Sequence, residues 1–220
     1  METHKELLRV SYPVPYYAQI ASPELAARIF DEGLDPRKDP KWKEFGAIDQ
    51  DEYAYWVDRA CGVVCVKMCV EALGGAKKNV VTWAKEGLSI DGYLIKTNEN
   101  GIQEELGWIH KSLANLVERE GFSAEARPAS ILEIVNEIRE DRLIIASVSF
   151  ELGTKKPVER QGGHLVVVVG ADLNVEGVGS IYIHNPSGRT RELREFAKIP
   201  VERFGKSFAG RIIAVSHGTI

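Results

Sequence analysis

The chain has 220 residues, a formal net charge of -4, 44% hydrophobic and 27% charged side chains, the make-up of a globular protein able to bury one substantial core. The acidic balance argues against a nucleic-acid partner, and no apolar run reaches the length of a membrane span. Three cysteines within nine residues (61–69) are no disulfide framework, and the polar start Met1–Glu6 is no signal peptide, so the chain as given reads as cytoplasmic.

From the N-terminus, Val14-Pro15-Tyr16-Tyr17-Ala18-Gln19-Ile20 reads as an extended segment. Ser22-Pro23 then opens a helix that runs through Phe30 and stops at Gly33. Leu34 to Pro40 is polar and proline-punctuated, a loop. Trp42, Phe45, Tyr53, Tyr55 and Trp56 make the approach to Cys61 aromatic, either packing that stretch onto the body or lining a groove.

Residues 58–74 read as a buried helix stopped by Gly74-Gly75. Cys61 falls in its first turn, where unpaired backbone N–H groups favour a thiolate; Cys65 and Cys69 follow one and two turns deeper in an apolar stripe. Packing alone also accounts for three cysteines on one face, whereas a metal site lacks a Cys-x-x-Cys pair or nearby histidine.

A short helix at 79–87, a loop at 89–101 and an amphipathic helix over 104–120 with Leu106, Ile109, Leu113, Leu116 and Val117 come next. Ser130 and Glu133 form a capping-box pattern for a helix to about 141. Strands are expected at 143–150, 165–169, 180–184 and 211–216, with a helix at 192–198. Helices first and strands later indicate an α+β fold. The expected layout is a single domain over 1–220, with a helical lobe over about 1–141 and an antiparallel sheet lobe over about 142–220.

A thiol nucleophile needs an imidazole to take its proton and a third group to orient the imidazole. His164 follows two glycines at the mouth of a strand, and Asn185 stands before Pro186 where another strand ends. Singly, each is ordinary strand-start or turn chemistry. In the order Cys, His, Asn they form a candidate triad.

At these residues the chain resembles the papain-like cysteine peptidases of the bacteriocin-processing, double-glycine type. Val14-Pro15-Tyr16-Tyr17-Ala18-Gln19, Cys61-Gly62 with Met68, Gly107-Trp108-Ile109-His110, Gly163-His164-Leu165-Val166, Asn185-Pro186 and the stretch from Phe204 to Gly210 carry the resemblance, which spans nearly the whole chain. Val63 replaces the proline usual after Cys-Gly, and Asn185 stands where aspartate is common. Roughly thirty additional residues separate Gln19 from Cys61 relative to the usual spacing.

The resemblance implies a papain-like fold and a cysteine peptidase or other thiol hydrolase acting on a peptide or amide through Cys61, His164 and Asn185, without cofactor or metal. A catalytically inactive binding module and a thiol acyltransferase are the alternatives on the same scaffold. Gln19, Tyr55 and Gln50 are candidates for the oxyanion donor, and Trp56, Trp108 and Gly163 for the substrate groove. Within the 34–57 insertion, the stretch from Pro36 to Gln50 reads as a lid, an interface or an ordered part of the substrate groove.

Overall fold

The computed structural model describes residues 6–101, 103–175 and 177–218. Its helices are α1 (Ala26–Phe30), α2 (Gln50–Val57), α3 (Cys61–Ala72), α4 (Val80–Leu88), α5 (His110–Arg119), α6 (Ile131–Arg139) and α7 (Val201–Ser207). Its strands are β1 (Glu6–Arg9), β2 (Tyr93–Thr97), β3 (Gln103–Trp108), β4 (Phe122–Pro128), β5 (Leu143–Ser149), β6 (Gly163–Asn174), β7 (Gly177–His184), β8 (Ala197–Pro200) and β9 (Arg211–His217). The main sheet is antiparallel, in the order β4-β9-β5-β6-β7-β8, and β1 pairs with the far end of β6.

The unbroken apolar runs explain the centre of this arrangement. β5 is buried at every residue, and β6 is buried from His164 to Ala171, as expected of strands covered on both faces. α3 lies against β6 and is buried from Gly62 to Val70. Each Val or Met so removed from water contributes about 1.5–3 kcal/mol. The charge on that helix, Lys67, is held by Glu71 one turn on and donates to the Lys78 carbonyl at 2.7 Å, with the Tyr17 ring 4.1 Å beneath it. Gly74, in the left-handed region, ends the helix as its sequence indicates.

Several segments differ from the sequence reading. The apolar steps over 104–120 predict one helix, but Gln103–Trp108 is a strand, and α5 begins only at His110. Gly107 has φ +94°, outside the helical region, and Leu106 points to solvent rather than to the core. β3 pairs with β2 in a separate hairpin, so part of the loop expected at 89–101 is also strand. Residues 192–198 form a short 3₁₀ turn and the start of β8, with α7 following. The α3 helix is shorter than expected, because residues 58–60 form the turn that joins α2 to it. β1 and β4, both from the stretch read as helical, complete the main sheet, so the two lobes do not divide the chain at 142.

The stretch between Gln19 and Cys61 is an ordered part of the body. Asp49 caps α2 by accepting the Glu52 N–H at 2.8 Å. Buried Asp39 accepts from Ser22 Oγ at 2.6 Å and from Tyr53 Oη at 2.5 Å, while Tyr53 Oη accepts the Ala21 N–H at 3.0 Å. The insertion is therefore pinned at both ends by a satisfied buried polar cluster.

Candidate active site

Cys61 is the first residue of α3 and is half-buried; Cys65 and Cys69 are fully buried beneath it. β6 runs past the helix start and presents His164 as its second residue. Gly162 and Gly163 both have positive φ, which bends the chain into the strand as only glycine does without strain. β7 ends at His184, and Asn185 lies in the turn that follows. The triad candidates thus come from one helix start and two neighbouring strand ends.

His164 Nε2 lies 2.9 Å from Asn185 Oδ1. The same oxygen accepts the Ser187 N–H at 3.0 Å, which fixes the amide with its oxygen toward the ring. His164 therefore carries its proton on Nε2, and Nδ1 keeps the lone pair a base requires. Ser187 Oγ stands 3.0 Å from Nε2 and 3.2 Å from Asn185 Oδ1. The Asn185 loop is braced by its own N–H to the Arg194 carbonyl, by Tyr16 Oη to the Asn185 carbonyl, and by the Gln19 N–H to the Pro186 carbonyl.

Protonation follows burial. The helix start favours a lowered thiol, but burial pushes Cys61 up to about 11, outweighing the backbone N–H groups of Leu165, Gly62 and Cys61 itself that pull it down. Burial likewise pushes His164 down to about 4, against the opposing hydrogen bond to Asn185. Both shifts favour a thiol and a neutral imidazole as the resting pair.

Two cavities meet at Cys61, His164, Gly163 and Asp58. One, of about 410 Å³, is lined on the hairpin side by Arg59, Tyr93, Glu105, Trp108, His110 and Ser147. The other, of about 340 Å³, is lined by Gln19, Ile29, Phe30, Phe150, Ser187 and Arg189. Gln19 thus borders the thiol: its Nε2 donates to the Val57 carbonyl at 2.8 Å, and its Oε1 is buried without a partner. Gln50 instead donates to the Arg37 carbonyl on the surface, and Tyr55 is exposed beneath the Arg59 guanidinium; neither lines a cavity that holds Cys61. Trp108 and Gly163 line the groove, whereas Trp56 is buried behind it, stacked on Trp108 at 6.2 Å.

His184 faces the other way. Its Nε2 donates to the Val14 carbonyl at 3.0 Å, and its Nδ1 accepts the Phe196 N–H at 2.9 Å. Ser187, Asp58 and Arg189 were not singled out by the sequence reading. Ser187 had a signal in its place two residues after Asn185, but the other two look like ordinary surface charges. Among the described residues, no group of three His, Cys, Asp or Glu side chains is placed to hold a metal ion, and no helix is long and apolar enough to cross a membrane.

The model of the Peptidase_C39 like family matches residues 13–209, nearly the whole chain. The chain belongs to this C39-like peptidase family. Among solved structures, a C39-like peptidase from Bacillus anthracis matches with 16% identity and a TM-score of 0.52, over 74% of this chain and 91% of its own. The peptidase domain of Streptococcus ComA, a bifunctional ABC transporter of a quorum-sensing pathway, matches with 15% identity and a TM-score of 0.47, over 73% and 93%. A double glycine motif protease from an AMS/PCAT transporter, solved with its leader peptide, matches with 15% identity and a TM-score of 0.46, over 72% and 84%. A search of the curated proteins gave no match. The first of these structures supports the C39-like fold of the chain, and membership supports a cysteine-peptidase type of function.

Proposed function

We propose that this chain, acting as one papain-like unit over its whole length, hydrolyses a peptide or amide bond through Cys61, His164 and Asn185. The observation that carries the reading is the buried His164–Asn185 hydrogen bond at 2.9 Å, which leaves Nδ1 free as a base in the groove that Cys61 borders.

The resting pair is neutral, so His164 Nδ1 takes the thiol proton as Sγ attacks the carbonyl carbon. The carbonyl electron pair moves to oxygen, where the Cys61 N–H and the second N–H of the Gln19 amide are the donors in reach. Collapse breaks the C–N bond, and the nitrogen leaves with the proton from Nδ1. Water then adds to the thioester, gives its proton to Nδ1, and the acid departs as the thiol is restored. An acyltransferase would follow the same path with an amine or thiol replacing the water.

The test is incubation with a randomised peptide mixture, followed by mass spectrometry of both products and enzyme. Cleavage by wild type, with an acyl adduct trapped on Cys61 at short times and neither event in Cys61→Ser, is the expected result. Absence of both cleavage and adduct in a protein whose Cys61 still reacts with a small electrophile would leave the binding-module reading standing.

A further inference from the structure

The Gln19-side cavity contains a charge that the triad does not use. Arg189 lines it, and its side chain is only 9% exposed. Burying a guanidinium is costly unless it is fully paired, yet its partners are few. Nη1 donates to the Ser187 carbonyl at 2.6 Å, Nε faces Asp31 at the long distances of 3.3 and 3.4 Å, and the guanidinium lies 4.6 Å over the Phe30 ring. No hydrogen bond among the described residues uses Nη2. The same cavity offers apolar walls in Ile29, Phe30 and Phe150. Its other charged lining group is Asp58, which also borders the hairpin-side cavity and so sits close to the reacting centre.

Resting on the peptidase reading for its substrate, we propose that this cavity receives the leaving side of the scissile bond and that Arg189 binds a carboxylate on the first residue there. The hairpin-side cavity is bordered by the backbone of β3, an extended partner for the acyl portion of the chain. On the Gln19 side, cleavage frees an amine in the cavity that Asp58 lines, while a carboxylate on that same residue meets the free Nη2 in charge-assisted geometry. Asp58 and Arg189 line the same cavity and attract one another across it, so the cavity offers one charge of each sign, as a released amino acid carries. The carboxylate is either a chain terminus or an Asp or Glu side chain.

The decisive experiment needs only a reactive Cys61. Iodoacetate and iodoacetamide differ in one carboxylate, and each alkylates by the same displacement: Sγ forms a bond to carbon, iodide leaves, and the thiol proton is lost to solvent or base. We expect the iodoacetate-to-iodoacetamide rate ratio at Cys61 to exceed that of free cysteine by about tenfold, the worth of one charge-assisted contact. Arg189→Met should lower the ratio about tenfold and Arg189→Lys should retain most of it. A ratio at or below that of free cysteine in wild type, or one unchanged in a folded Arg189→Met, overturns the proposal. Should Arg189→Met fail to fold, the wild-type comparison and the Lys variant decide.

Peptides that share a randomised acyl side then separate the sources: one with a free terminal carboxylate on the first leaving residue, one with its amide, one amidated with Asp at that position, and one with Asp moved to the acyl side. Faster cleavage of the first or third supports the assignment and says which carboxylate is read; preference for the last overturns it. An Arg189-dependent ratio with no peptide cleaved upholds the carboxylate site and removes the peptidase reading instead.

Discussion

At the scale of single residues, burial and helix-start position oppose each other at Cys61, and burial prevails. The thiol is raised to about 11, so its ultraviolet thiolate band, taken as wild type minus Cys61→Ser, should be absent at neutral pH and appear only as pH climbs toward that value. A band already full at pH 6 would mean a thiolate–imidazolium pair at rest. The proposed base also makes the two histidines separable. His164→Ala should slow Cys61 alkylation by iodoacetamide on the order of a hundredfold, the low end of what a general base contributes. His184→Ala should stay near wild type, since both its ring nitrogens bond to backbone on the other side of the sheet. Asn185→Ala should fall between them, softened by Ser187 Oγ, which at 3.0 Å can take over the Nε2 proton. Equal loss in both histidine variants, with the fold intact by circular dichroism, would remove His164 from the proposed role.

At the scale of elements, a few specific contacts hold the hairpin to the start of α3 and the insertion to the Ala21–Ser22 segment. Trp108 Nε1 donates to the Arg59 carbonyl at 2.6 Å, and the Arg59 guanidinium grips both carboxylate oxygens of Glu105 at 2.6 and 2.9 Å. The Trp108 ring lies directly against Gly62, where a Cβ would come within 2.8 Å of it. Gly62→Ala should therefore destabilise the protein by about 1–3 kcal/mol in denaturant unfolding, the usual cost of overpacking, and should move the hairpin wall of the groove. Unchanged stability would show that Trp108 yields freely. In the insertion, Tyr53→Phe removes one hydroxyl that serves both Asp39 and the Ala21 N–H. A loss of about 1–3 kcal/mol is expected, because two buried polar groups are left short of a partner.

At the scale of the whole molecule, the buried imidazoles tie stability to pH. His164 is held neutral, its pKa lowered from 6.5 to about 4, so the unfolded chain binds a proton in a range where the folded one does not. The stability this contributes is present above pH 6.5 and is lost as pH falls through about 4, roughly 3 kcal/mol in all by linkage. His184 is lowered by burial as well, and its protonation would cost the bond from the Phe196 N–H, so it adds in the same direction. Urea unfolding between pH 7 and 4 should show the decline, and His164→Gln should flatten it. A decline of the same size in that variant would assign the acid sensitivity elsewhere.

Outcomes that depend on few neighbours were legible in the chain alone. The continuous apolar run of α3 with its glycine stop, the capping box at Ser130, and the Val-rich strand after His164 were legible because burial on all sides leaves one periodicity and one composition. The order Cys61, His164, Asn185 could be proposed from helix-start and strand-start chemistry together with family resemblance. Whatever depends on residues distant in the chain came only with the packed fold. Leu106 and Ile109 carry a helical pattern, but Gly107 and pairing with β2 make their neighbourhood a hairpin. β4 carries no strand signal of its own, since none of its residues is fully buried, and only pairing with β9 makes it a strand. Arg189, Asp58 and Ser187 gain meaning from a cavity assembled by six separate segments. The direction of the Cys61 shift was likewise beyond the sequence, since a helix start is local whereas desolvation sums over everything packed around it.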